Sequence, residues 1–118
     1  MKRIYIAGPY RGANAWEVER NIRRVEELGF RVAEMGGLSV IPHTMYRYWD
    51  GTLTDDFWLA CGIKLLDVCD AVCVVTGYAN SRGTLAEINS AVMAGKPVFL
   101  QDSEEDLEQL RAFIATGQ

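Results

Sequence analysis

Apolar side chains in this chain fall into four short runs, each followed by a longer stretch of helical periodicity. KRIYIAG (residues 2–8) places Ile4, Tyr5 and Ile6 in a row, residues that favour an extended, buried strand. Gly8 and Pro9 end it. Over residues 14–35, Val18, Ile22, Val25, Leu28 and Val32 recur near every 3.6 residues, with charges on the other face, which predicts an amphipathic helix. Asn14 and Glu17 have the spacing of a capping box at its start, and Gly36-Gly37 stops it. LSVIP (38–42) reads as a second strand, and HTMYRYWDGTLTDD (43–56) as a loop. A helix is expected over 55–66. AVCVVTG (71–77), apolar at successive positions, is the strongest strand signal and fits a sheet covered on both faces. A helix over 83–94, a strand over 96–100 and a last helix from just after Ser103 to 115 complete the chain.

Strand and helix thus alternate four times. That order predicts parallel strands joined by right-handed crossovers, with helices on both faces. The expected fold is α/β, a Rossmann-like or flavodoxin-like three-layer sandwich whose parallel sheet of about four strands is ordered 2-1-3-4. Ligands in such sheets bind beyond the carboxyl ends of the strands, where the strand order reverses. For this order the reversal lies between strands one and three. GPYRG (8–12), PHTMYRYWD (42–50) and GYANSRGT (77–84) leave the sheet there, although they are far apart in sequence.

Length and charge narrow the options. The 118 residues suit one domain, 1–118, and 49% hydrophobic content allows a proper core. A formal charge of −4 argues against binding a nucleic-acid polymer or a membrane surface, while leaving room for a local pocket for a small anion. No apolar run approaches the ~20 residues of a membrane span. The basic start is followed by too short an apolar stretch for a signal peptide, so a cytoplasmic location is expected. Cys61, Cys69 and Cys73 form no even set for disulfides and read as small buried hydrophobes rather than metal ligands. No metal and no cofactor is expected.

The three loops carry the candidate chemistry. GPYRG is not a dinucleotide fingerprint, and no P-loop motif is present. Gly8 permits close backbone approach, and Arg11 is suited to a phosphate or carboxylate; the alternative is a turn with a solvated arginine. His43, the only histidine, packs, caps or binds. Tyr46, Tyr48 and Trp49 suit either stacking on a planar base or a contact between subunits. In SRGTLAEINSA (81–91), Thr84 and Glu87 have capping-box spacing. The same junction places backbone donors and the positive end of a helix near Ser81, Arg82 and Gly83, which suits an anion. Glu87 lies about one turn inside, where the helix dipole is expected to keep it ionised. An ionised carboxylate facing the cleft suits attack on a sugar carbon with oxocarbenium character. A cap and a nucleophile are both consistent with these residues.

YIAGPYRG, VIPH and CDAVCVVTGYANSRGTLAEINSAVMAGKPV together resemble the nucleoside 2-deoxyribosyltransferase superfamily, especially its small bacterial and phage members, among them nucleoside 5′-monophosphate N-glycosidases. The resemblance covers nearly the whole chain. It implies a Rossmann-like fold, a homodimer or higher homo-oligomer, and a nucleoside or nucleotide as the partner molecule. It makes Glu87 the nucleophile that attacks C1′ and expels the base, leaving a glycosyl-enzyme ester. A second base resolves that ester in transferases and water resolves it in the glycosidases. It gives Arg11, Ser81 and Gly83 to the 5′-phosphate, and makes Tyr5 or Tyr10 the residue that positions the nucleophile. The sequence departs from the pattern where an aspartate is expected before the third strand: Gly62 stands near there, with Asp55 and Asp56 further back; either is a candidate substitute, Asp56 being taken as the catalytic candidate, and the alternative is that the leaving base receives no acid help. Two other readings stand beside an N-glycosidic-bond enzyme. One is a non-catalytic nucleotide-binding module on the same fold. The other is a phosphoribohydrolase like the cytokinin-activating, lysine-decarboxylase-like proteins, whose G-T-x-x-E fragment GTLAE matches without their preceding P-G-G-x.

Overall fold

Side chains alternate across each strand, and here the alternation separates two hydrophobic layers. In a computed structural model, which describes residues 1–117, β1 (Arg3–Ala7) sends Ile4 and Ile6 to one face of the sheet and Tyr5 and Ala7 to the other. β3 (Ala71–Val74) divides in the same way, with Ala71 and Cys73 on the first face and Val72 and Val74 on the second. Helix α1 (Ala15–Glu34) covers the first face through Val25, Leu28 and Val32. Helix α5 (Glu104–Ala115) joins it through Leu110 and Ile114. The second face is covered by α3 (Asp55–Asp67) through Leu66 and by α4 (Arg82–Met93) through Ala91. With β2 (Leu38–Val40) and β4 (Val98–Leu100), the sheet has four parallel strands in the order β2-β1-β3-β4. Helices lie on both faces, as expected.

The differences from the expected elements are local. β2 and β3 end before the apolar runs that announce them, where the next loop turns away, and β4 starts two residues late, after Lys96 and Pro97. The stretch expected to be all loop opens with a short helix, α2 (Pro42–Met45), in which Pro42 occupies the first turn, where its missing N–H costs nothing. At α1, Asn14 accepts from the N–H of Glu17, but Glu17 reaches back to Ala13 N at 3.2 Å rather than to Asn14 itself.

One lysine ties the second layer together. Gly95 adopts φ 74°, a left-handed conformation that ends α4. Lys96 then donates from Nζ to the carbonyls of Leu66, Asp67 and Cys69 at 3.0, 2.8 and 2.6 Å. These carbonyls close the carboxyl end of α3, where an ammonium meets both unpaired acceptors and the negative end of the helix dipole. Among the described residues, no helix is long and apolar enough to cross a membrane.

Candidate active site

A cleft of about 1100 Å³ opens where β1 and β3 lie side by side and their outgoing loops part. Its walls come from the β1–α1 loop, α2 and the segment after it, the first turns of α3, and the start of α4. Every candidate for catalysis or phosphate binding lines it: Tyr5, Gly8, Tyr10, Arg11, His43, Asp56, Ser81, Arg82, Gly83 and Glu87; of the three aromatic residues singled out for stacking, Tyr46 lines it and Tyr48 and Trp49 do not.

Helix α4 explains the position of Glu87. Its inward stripe is Thr84, Glu87 and Ala91, all buried, so a carboxylate occupies a place that helical periodicity assigns to the core. Ser81 is the N-cap: its Oγ accepts from Thr84 N at 3.2 Å and lies 2.7 Å from Thr84 Oγ1. The expected capping box over Thr84 and Glu87 is therefore not formed. Thr84 is inside the helix rather than at its cap, and Glu87 turns away from the helix start towards the sheet. There it accepts a short hydrogen bond from the Tyr5 hydroxyl. Tyr5 is completely buried on β1, and burial together with the neighbouring carboxylate pushes its phenol well above the ordinary range. Of the two tyrosines left open by the sequence, Tyr5 is the one placed on Glu87.

The expectation that the helix dipole keeps Glu87 ionised is corrected by its burial. Only 8% exposed, its carboxyl is pushed up to about 7 by desolvation, with the Tyr5 hydrogen bond pulling the other way. Near neutral pH Glu87 is thus divided between acid and carboxylate, the condition suited to a group that must change charge during a reaction.

Gly62, on α3, faces this pair. A Cβ built there would lie 2.8 Å from Tyr5 Oη and 3.1 Å from Glu87 Oε2. The glycine therefore has a steric cause: it is the space that lets the tyrosine and the glutamate meet. No aspartate fits there without displacing them. Asp55 and Asp56 do not fill the gap, for each is exposed at the start of α3 and faces an arginine. Arg11 pairs with Asp55, and Arg82 lies 3.9 Å from Asp56.

The remaining candidates mostly hold the loops. His43 is buried and donates from Nε2 to the Pro9 carbonyl at 3.0 Å; desolvation lowers its pKa, so the ring is a neutral strut. The Tyr10 ring meets it edge-on at 5.2 Å, and the Tyr10 hydroxyl donates to Asp50 at 2.9 Å. Desolvation and that bond raise Tyr10 to about 12. A Cβ on Gly8 would press on Val75 at 2.5 Å and Val25 at 2.7 Å, so packing of α1 on the sheet already demands this glycine. At Gly83, by contrast, the nearest side-chain atom to an added Cβ is Leu59 Cδ1 at 3.9 Å. Nothing in the packing requires a glycine there, which leaves close approach by a ligand as a reason.

Tyr46 and Trp58 form one wall of the cleft, with ring centroids 5.0 Å apart, and Trp49 stacks on Trp58 at 6.1 Å. The sequence pointed to Tyr46 and Trp49 but not to Trp58. The signal was present, since Asp55, Trp58 or Leu59, Gly62 and Leu66 share one helical face. Tyr48, beside them, has φ 72°, a strained value for an aromatic residue. Among the described residues, no group of three or more His, Cys, Asp or Glu side chains is placed to hold a metal ion.

Comparison with known proteins places this architecture. The family described as "Domain of unknown function (DUF7768)" matches residues 2–101. No curated protein matches the chain. Among solved structures, a 2-deoxyribosyltransferase from the psychrotolerant bacterium Bacillus psychrosaccharolyticus superposes with a TM-score of 0.60 at 18% identity, covering 83% of this chain and 70% of its own. A conserved protein from Enterococcus faecalis V583 gives 0.65 at 19% identity, over 96% and 74%. The CMP N-glycosidase BcmB of Clostridium botulinum gives 0.53 at 21% identity, over 94% and 81%. The fold is therefore one that a deoxyribosyltransferase and an N-glycosidase also adopt.

Proposed function

The chain belongs to the DUF7768 family, and we propose that it cleaves the N-glycosidic bond of a nucleoside or nucleoside 5′-monophosphate through a covalent intermediate on Glu87. One observation carries the reading: a buried carboxylate, held by a buried tyrosine hydroxyl, sits in the cleft at the strand reversal. The ionised Glu87 attacks C1′, the C1′–N bond breaks, and its electron pair leaves with the base. Tyr5 fixes the attacking oxygen and releases its hydrogen bond as negative charge leaves the carboxylate. Water then cleaves the glycosyl ester, returning the sugar, a proton and the Glu87 carboxylate. Transfer to a second base is the alternative second step.

Ser81, Arg82 and Gly83 at the start of α4, together with Arg11, support a 5′-phosphate site. The unfilled space at Gly83 and the donors of the first helical turn suit an anion. The pairing of both arginines with Asp55 and Asp56 means that a phosphate has to displace carboxylates to reach them. That competition, with Gly62 where an acid is expected, favours a second reading: a module that binds nucleotide without turning it over.

Incubation with a panel of nucleosides and 5′-monophosphates, scored for free base by chromatography with and without a second base, separates the two. Base release by the wild type that is lost in Glu87→Gln, with folding retained, is the expected result. Equal release by wild type and variant excludes the mechanism. Binding of a nucleotide without release from any substrate establishes the second reading.

A further inference from the structure

Among the described residues, the titratable side chains of the cleft that could protonate a departing base are already engaged, Glu17 by the N–H of Ala13. Tyr5 is committed to Glu87, Tyr10 to Asp50, and His43 to the Pro9 carbonyl. Gly62 contributes no functional group, and Asp55 and Asp56 are engaged by arginines at the rim. A neutral base that leaves with the electron pair of its glycosidic bond becomes an anion and needs such a proton. A base that already carries a positive charge leaves neutral and needs none.

The walls fit the same kind of base. Tyr46 and Trp58 present aromatic surface to the cleft. Trp49, outside the cleft, stacks on Trp58 and backs it. Aromatic faces attract cations, with the indole the strongest of the three rings. Five carboxylates and three arginines line the cleft, and with Arg11–Asp55 and Arg82–Asp56 paired, Glu17, Asp50 and Glu87 remain against Arg24, an excess of negative charge.

We propose that the cleft selects N-glycosides whose base is a cationic aromatic ring, an N-ribosylpyridinium or an N-alkylated purinium, held against Tyr46 and Trp58 with its charge facing the cleft carboxylates. The proposal rests on the glycosidase reading for the reaction but not for the recognition. Attack of the Glu87 oxygen on C1′ forms the ester bond. The C1′–N pair passes to the ring nitrogen and cancels its charge, so a neutral base departs with no proton transfer. A cation beside Glu87 also favours its carboxylate form, and so prepares the nucleophile by the act of binding.

Two measurements test this. Calorimetry compares N1-methylnicotinamide, a cation, with neutral nicotinamide. The cation is expected to bind roughly tenfold or more tightly, and Trp58→Leu to weaken it by roughly 3- to 30-fold while Trp58→Phe keeps part of the preference. Equal binding of the two overturns the proposal. Base release from 7-methylguanosine is compared with release from guanosine, each relative to its own uncatalysed rate. The expected enhancement is roughly 100-fold or more greater for the cation; equal enhancement overturns the proposal while leaving the glycosidase reading intact. No base release from any nucleoside, with the calorimetric preference for the cation retained, removes the glycosidase reading and supports the recognition.

Discussion

Replacing Glu87 by Gln should make the protein more stable, and by an amount that depends on pH. The folded protein holds Glu87 near 7, against about 4.5 for the free side chain, because burial penalises its charged form. Between these values the native state keeps a proton that the unfolded chain has lost. Stability therefore falls as pH rises, by up to about 1.4 kcal/mol per pH unit. Below pH ~4.5 the group is neutral in both states and has no effect. Above pH ~7 it is ionised in both, and the native state bears a cost of about 3 kcal/mol. Gln is neutral throughout, nearly the same size, and keeps an oxygen to accept from Tyr5. Urea unfolding of wild type and Glu87→Gln at pH 5, 6, 7 and 8, with equal m-values, gives the difference directly. It should be small at pH 5 and grow to about 3 kcal/mol in favour of the variant at pH 8. A difference that is flat across this range, or that favours the wild type at pH 8, refutes the claim that the buried carboxylate is charged at a cost to the fold.

Four further outcomes follow from the same geometry. On the proposed mechanism, in which ionised Glu87 attacks, kcat/KM for base release should rise with pH through about 7. Tyr5→Phe removes the one contact that lowers that pKa, so it should shift the rise to higher pH as well as slow the reaction, which a pH–rate profile detects. Gly62→Ala gains about 1 kcal/mol of helix propensity, yet its Cβ collides with a fully buried tyrosine. Denaturant unfolding should show a net loss of about 1–3 kcal/mol, and base release should fall at least tenfold as Tyr5 and Glu87 are forced apart. Lys96→Met strips three carbonyls of their shared donor. A loss of about 2–3 kcal/mol is expected on urea unfolding, with the pH dependence of base release unchanged because Lys96 lies away from the cleft.

Much of this was legible in the sequence because it depends on periodicity. The alternation of runs and the order of the sheet follow from Ile4, Tyr5, Ile6 and from 71–77 as apolar strands set between amphipathic helices. The three loops were brought together by topology alone. What periodicity does not encode is direction. Thr84 and Glu87 have the spacing of a capping box, but spacing cannot tell a glutamate that reaches back along its helix from one that turns into the core. Ser81 takes the cap, and Glu87 goes to Tyr5, 82 residues away in sequence. The same limit hid the reason for Gly62. A missing side chain leaves no pattern, and its cause is visible only when the two atoms that fill the space are placed beside it. Burial also reversed the electrostatic expectation. The helix dipole acts over the first turn, while desolvation acts wherever the side chain ends.

The anchoring of α3 by Lys96 separates what can vary in this protein from what cannot. Lys96 ties the two helices at their carboxyl ends, remote from the cleft, whereas the Tyr5–Glu87 pair is buried within it. The loops at the rim, by contrast, carry no part of that fastening. Exchanging residues 48–53, short of the Thr54 cap of α3, would alter the rim while leaving the Tyr5–Glu87 contact in place. The fold thus sets a fixed buried carboxylate under an interchangeable mouth, on the proposed reading a starting point for directed evolution towards new glycosides.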